Sequence, residues 1–410
     1  LLIWFFIPFL LGSKVFTTPE FLERRFSPVV RQFFALVTII SNVVAFLAAV
    51  LYGGALALQK LFQAELTRLT DLLPHWILPP EADPSDLQLW IAIVVLGVVA
   101  GFWAIYGGLS SVAWTDLFTV FVMVVGGITV TLLGLGVLAG EEGSLTDGMS
   151  AMIEANRAAE EPWKEAVQSN VHELAKTDTY NRLSVIQPAS HPTHPWPSLI
   201  FGVFSVSIWY NVLNQFMIQR VLGARSAYHA RMGIVFAGFM KVVLPAIVVI
   251  PGLIVFAMHP EILMIEPWAD VKPAADKAYV HLIQSLVPAG LRGLFLAALF
   301  GAIQSTVNSV LNSTATIFTL DVYKRWIHRT AGDKHLVRVG VVSSIVVLLV
   351  AIVLGGFIGR IGGNLFVYIQ TLYAFFAPPF SAVFLLGILW RRINATGAVV
   401  TVFFGFAWGI

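Results

Sequence analysis

Residues 293–323 read GLFLAALFGAIQSTVNSVLNSTATIFTLDVY. From Gly293 to Leu320 there is no ionisable side chain, a longer run than the ~20 residues that a helix needs to cross a bilayer. Inside that apolar frame Ser305, Ser309, Asn312 and Thr316 recur at i, i+4, i+7 and i+11, one face of a helix, and Thr306, Ser313 and Thr319 widen the face. Hydroxyl and carbonyl oxygens are hard ligands for hard cations. A face rich in oxygen and free of charge suits a weak, releasable monovalent cation site. The competing reading is that Ser and Thr bond back to their own helix or let neighbouring helices approach closely.

Working outward, the whole chain is of this kind. Of 410 residues 58% are hydrophobic and 12% charged, with a mean hydropathy of +0.82. A soluble domain carries about 25% charged residues. This composition excludes a disordered chain, and a formal charge of +2 gives no basic field for a nucleic-acid partner. The absence of cysteine excludes disulfides, thiolate metal sites and a Cys nucleophile. Apolar stretches lie at 1–12, 30–60, 88–106, 109–139, 198–216, 230–258, 289–322, 336–359, 364–389 and 394–410. They predict an all-α membrane protein with about ten spans in one transmembrane domain, 1–410. Because the chain both starts and ends inside an apolar run, with Leu rather than Met first, it reads as part of a longer protein. No basic segment or cleavage site frames the first twelve residues as a signal peptide. The long polar stretch 140–197 is acidic, and its apolar spacing at 149–175 predicts a short surface helix in an extracytoplasmic loop.

Lys and Arg fix the orientation. With loops 13–29, 217–229, 323–335 and 390–393 cytoplasmic, fourteen of the 25 basic residues lie at the cytoplasmic side, ten lie outside and Lys241 alone is left within a span. This places the chain as a multi-pass protein of the plasma or bacterial inner membrane, with the lipid bilayer as a partner. Pro245 and Pro251, Pro378-Pro379, Gly126-Gly127 and Gly355-Gly356 are expected to break or kink the spans around a wet cavity.

Several polar residues stand where a bilayer resists them. Lys241 in IVFAGFMKVVLPAIVVIPG is ten residues from Arg231, ~15 Å into the membrane at 1.5 Å per residue. Inserting a central lysine costs about 2.5–3.5 kcal/mol, and such a residue usually marks a substrate or ion pathway. A purely structural pairing with a carboxylate is the alternative. Asp116 in GGLSSVAWTDLFTV either guides a cation or pairs with a basic residue near the cytoplasmic surface. The segment SVSIWYNVLNQFMIQR packs Ser207, Trp209, Tyr210, Asn211, Asn214 and Gln215 into one span. Aromatic faces with amide partners suit a neutral polyhydroxylated ligand, although Trp209 and Tyr210 also fit an interfacial belt. Gln370 in NLFVYIQTLYAFF adds a buried amide. No HExxH, GxSxG or Walker loop is present, and His191, His194 and His259 lie in loops without metal spacing. Enzymatic catalysis is therefore not expected.

The chain resembles the sodium/solute symporter family, in particular its sodium–glucose (galactose) cotransporter branch. The motifs that carry the resemblance are TTPEFLERRF at 17–26, YGGLSSVAWTD at 106–116, HPWPSLIFG at 194–202, NQFMIQRVLGA at 214–224 and the stretch 293–323. The resemblance implies an inverted-repeat (5+5) helical bundle of the LeuT type, working by alternating access around a midplane site. It also implies that the first core helix, which contributes to both sites in this family, precedes residue 1. Sodium as coupling ion is implied at Ala302, through its carbonyl, and at Ser305 and Thr306, through their hydroxyls. Asp116, Asn308 and Ser309 match a sodium exit route or second cation position, with Asn308 departing from the hydroxyl of two-sodium relatives. Lys241, Gln370, Ser207, Tyr210 and Phe366 match the sugar site, Tyr210 also as its aromatic gate. The implied function is sodium-coupled symport of a sugar or polyol without a further cofactor. Myo-inositol, a carboxylate or an amino acid are the alternative solutes, and a channel or sensor on the same body is a third reading.

Overall fold

The computed structural model describes residues 2–13, 15, 17–72, 83–157, 183–190, 195–263, 276–361 and 365–409. Among these the regular elements are helical, apart from one isolated bridge between Gln187 and Pro195. After a π-helical turn at Leu2–Phe6, the helices are α1 Ile7–Ser13, α2 Thr18–Arg25, α3 Pro28–Leu61, α4 Gln63–Asp71, α5 Pro84–Ala139, α6 Leu145–Asn156 and α7 Ser198–Leu213. They continue as α8 Gln215–Leu222, α9 Ala227–Met258, α10 Ala278–Leu286, α11 Ala289–Ile317 with a π-helical extension Phe318–Ile327, α12 Asp333–Ile361, α13 Leu365–Leu389 and α14 Ala395–Gly409. Helices α3, α9, α11, α12 and α13 and both halves of α5 are long and apolar enough to cross a membrane, and the α7–α8 pair is a further bent span. Of the terminal stretches expected at 1–12 and 394–410, residues 2–12 and 395–409 are helical.

The ends of these helices follow from local chemistry. Thr17 caps α2 by accepting from the Glu20 amide, and Arg24 and Arg25 close its last turn against the helix dipole. Ser27 caps α3. Ser144 and Asp147 form a reciprocal capping box that starts α6. That helix overlaps only the start of the spacing read at 149–175. It ends at Asn156, where the Nδ2 donates to the Leu253 carbonyl at 3.0 Å, and 158–182 lies outside the described residues.

The spans predicted at 88–106 and 109–139 are found as Pro84–Ile105 and Ala113–Ala139, the two membrane-long halves of α5. One expectation is corrected: the breaks predicted at Pro245, Pro251, Pro378, Pro379 and the Gly126 and Gly355 pairs are absent, because α9, α13, α5 and α12 run through them. Helices α5 and α9 are also bonded to each other, Thr131 Oγ1 donating to the Ala246 carbonyl at 2.6 Å. The irregular backbone lies instead in π-helical turns at Asn42–Leu47, Trp209–Leu213 and Phe318–Ile327 and at Asn214. There ψ is 122° and the Asn214 side chain caps α8 through the Phe216 amide, so that α7 and α8 meet at 45°. A capping asparagine, not a proline, makes the bend.

Two apolar cores hold the bundle. One joins Leu47, Leu51, Ile93, Leu96, Ile303, Val307 and Leu348 from α3, α5, α11 and α12. The other joins Phe34, Trp209, Phe380 and Phe384 from α3, α7 and α13. Gly54 brings α3 against α11, since a methyl there would lie 2.5 Å from Ile303 Cδ1. The outer faces carry exposed Val94, Phe121, Val248, Val342 and Phe404, the apolar exterior of a chain whose solvent is lipid.

At the end assigned to the cytoplasm, charges tie three elements. Arg31 donates through Nε to the buried Asp321 at 2.8 Å and pairs with Glu23, which also receives Arg325. Burial acts to raise the Glu23 carboxyl, but the Arg325 and Arg31 guanidinium groups outweigh it and hold it below the usual carboxylate range.

Candidate functional site

Of the two readings of the oxygen-rich face of α11, the bonding of hydroxyls back to their own helix is the one seen. Thr306 Oγ1 donates to the Ala302 carbonyl at 3.1 Å, and Ser309 Oγ donates to the Ser305 carbonyl at 2.7 Å. A hydroxyl has one proton and two lone pairs. Back-bonding uses the proton of the Thr306 and Ser309 hydroxyls and leaves their oxygens able to accept. The Ala302 carbonyl is different, because it already accepts the Thr306 hydroxyl. Its use as a ligand requires that hydroxyl to turn. Ala302 also borders a cavity of about 300 Å³ between α5, α9, α10 and α11, lined mainly by apolar side chains including Met123, Ile247 and Phe295.

Asp116 and Ser309 are brought together, but around a group that sequence reading overlooked. Arg220 Nη2 donates to Asp116 Oδ2 at 2.8 Å and to Ser309 Oγ. Of the two readings left open for Asp116, the basic partner is the one seen. Asn308 is buried, and its Oδ1 has no hydrogen-bond partner among the described residues. Arg220 escaped notice because an arginine near a cytoplasmic loop is already accounted for by the charge rule.

Of the solute residues, Ser207 and Tyr210 lie on α7, Lys241 on α9, and Gln370 and Phe366 on α13. Lys241 Nζ donates to Asn211 Oδ1 at 3.2 Å, and Asn211 Nδ2 donates to the Ser207 carbonyl at 2.9 Å and to Ser207 Oγ at 3.2 Å. Tyr210, next in the chain, lies in a ring cluster with Phe46, Phe216 and Tyr373 at centroid distances of 6.1, 5.8 and 6.4 Å. Gln370 lines a cleft of about 300 Å³ with Ser198, Gly202, Val206 and Thr371. Phe366, one turn earlier on α13, is 58% exposed and is not among the residues lining that cleft. Asn211 stood in the polar segment noted above, yet its role as the bridge from Lys241 to Ser207 is a tertiary fact. Tyr373 was hidden in the aromatic run LYAFF, where nothing local separates a packing ring from a site ring.

The chain is similar to known proteins. The sequence profile of the sodium:solute symporter family matches residues 85–405. The sodium/glucose cotransporter of Vibrio parahaemolyticus is 34% identical over 97% of this chain and 66% of its own length. The sodium/myo-inositol cotransporter of Mus musculus is 30% identical over 100% of this chain and 54% of its own. The chain thus spans about half to two thirds of the curated relatives that it matches. A solved structure of a Na+-coupled sialic acid symporter, in a substrate-bound outward-open state, superposes with a TM-score of 0.68 at 20% identity, covering 97% of this chain and 72% of that one. The fold is therefore the all-α inverted-repeat bundle of the LeuT type, in a multi-pass membrane protein. By its sequence and its architecture the chain belongs to the sodium:solute symporter family.

Proposed function

We propose that the protein is a sodium-coupled secondary active symporter of a sugar or related polyol. Sodium binds through the hydroxyl oxygens of Ser305 and Thr306, joined by the Ala302 carbonyl once the Thr306 hydroxyl turns. The solute binds beside α7, with Lys241, Asn211 and Ser207 meeting its hydroxyls, Gln370 contributing an amide, and Tyr210 supplying an aromatic face and gate. One observation carries this reading most: among the described residues the ammonium of Lys241, well inside a span, is matched by a neutral amide rather than a carboxylate. A lysine kept to hold helices together would be expected to have an anionic partner, so its charge and remaining donors are free for a ligand. The named substrates of the relatives, glucose and myo-inositol, suit such a donor-rich site.

The position between Asp116 and Ser309 is filled by the guanidinium of Arg220, which supports one sodium per solute rather than two. A second reading, an anionic solute such as a carboxylate, draws on the same unpaired ammonium. Sodium and solute affinities must raise each other by the same factor if the two sites are coupled. Binding of ²²Na⁺ to the purified protein, measured with and without galactose, glucose, myo-inositol, a monocarboxylate and an amino acid, tests this. Tighter sodium binding with a sugar or polyol supports the proposal, and the solute that gives the larger effect identifies the class. Equal sodium binding with every solute would contradict it. Saturable flux separates a carrier from a channel.

A further inference from the structure

Arg220 lies on α8, beyond the 45° bend, yet its guanidinium reaches two other helices. Nη2 meets Asp116 on α5 and Ser309 on α11, and the adjacent Gln219 Nε2 donates to the Ser309 carbonyl at 3.3 Å. The direction of this chain of bonds is fixed by chemistry. Arginine is charged at every relevant pH and only donates. The Ser309 hydroxyl has already given its proton to the Ser305 carbonyl at 2.7 Å, so it can only accept from Arg220. The series therefore runs from α8, through Arg220 and Ser309, to the backbone of the residue whose side chain is assigned to sodium. Asp116 Oδ1 and Asn308 Oδ1 are buried acceptors with no partner among the described residues. This layer has acceptors to spare, and Arg220 is the donor that serves it.

We infer that Arg220 is the positioning residue that makes the α7–α8 bend respond to cation occupancy on α11. This rests on the reading of Ser305 and Thr306 as the sodium site. A cation that draws the Ser305 hydroxyl and the Ala302 carbonyl toward itself moves that turn of α11. The Ser305 carbonyl moves with it, the Ser309 hydroxyl follows its acceptor, and the guanidinium carries the displacement to an eight-residue half-helix hinged at Asn214. Coupling of this kind needs an element with two arrangements that both sites bias, and α8 is short, separately capped and joined to α7 at that hinge.

The absence of cysteine allows a direct test. A Gly223→Cys reporter stands at the exposed C-terminal end of α8, where φ is −76° and any residue fits. Its rate of maleimide labelling is measured in sodium and in choline, with ²²Na⁺ binding counted on the same protein. In the reporter alone sodium changes the labelling rate by about fivefold or more. With Arg220→Gln added, ²²Na⁺ still binds but the labelling rate no longer depends on sodium. Ser309→Ala should give the same loss while keeping the Arg220–Asp116 pair, and it serves if Arg220→Gln does not fold. Sodium-dependent labelling that persists in both variants would overturn the inference, as would a reporter indifferent to bound sodium. Failure of ²²Na⁺ to bind the unsubstituted protein would instead remove the sodium site itself, and with it both proposals.

Discussion

At the residue scale, the polar groups within spans divide by the partners they keep. Asp116 has an arginine, whereas Lys241 has only an amide among the described residues. Lys241→Ala should therefore lower solute uptake by about tenfold or more, as removal of a charged donor to a ligand does, while leaving the thermal unfolding temperature near that of the parent. Unchanged uptake would return Lys241 to a packing role. Ser305→Ala removes a hydroxyl oxygen but leaves the Ser305 carbonyl to Ser309. The sodium concentration for half-maximal uptake should rise by about tenfold, with the maximal rate largely kept. Sodium titration of uptake reads this directly.

Glu23 gives the pH dependence at this scale. Its carboxyl is held below its ordinary value of 4.5 in the folded state, with burial opposing and Arg325 and Arg31 prevailing. A depressed folded value means that the stabilisation is present at neutral pH and is lost as the pH falls below about 4.5, where the carboxylate protonates. Glu23→Gln should lower the unfolding temperature at pH 7, and the gap to the parent should close as the pH drops through that range. A gap that is constant with pH would mean that the two guanidinium groups do not act through the charge of Glu23.

At the element scale, hydropathy made the spans legible, since ~20 apolar residues have few alternatives to a membrane helix. The irregularities were harder to read. Pro245, Pro251 and Pro378-Pro379 look like breaks in one dimension, but continuous helices pass through all four. The bend sits at Asn214, whose side chain competes for a backbone amide and caps a new helix. Close approach is another property of elements. Gly54→Val should destabilise the protein by about 1–3 kcal/mol by overpacking, since its side chain would enter the space of Ile303, and a calorimetric or denaturant unfolding series would measure the loss.

At the scale of the whole molecule, single-helix patterns were readable and relations between distant helices were not. The face carrying Ser305, Ser309, Asn312 and Thr316 follows from helical period alone. That Ser309 receives Arg220, or that Asn211 joins Lys241 to Ser207, depends on helices separated by up to about a quarter of the chain. Such pairings are set by how the bundle closes, and no local signal marks them. The same closure brings Lys241 of α9 onto Asn211 of α7, sets Tyr210 among Phe46, Phe216 and Tyr373, and joins Arg220 of α8 to Ser309 of α11. In the proposed function these are the solute site, its gate and the neighbour of the cation face. Coupled transport follows if occupancy of that face changes the solute site and its gate. Uptake of labelled galactose and myo-inositol into proteoliposomes, driven by an inward sodium gradient and compared with a potassium gradient, measures this directly. Uptake of one of them that requires sodium, and that ceases when an ionophore collapses the gradient, is the predicted result. Equal uptake under sodium and potassium, or none of either solute from folded protein, would contradict it.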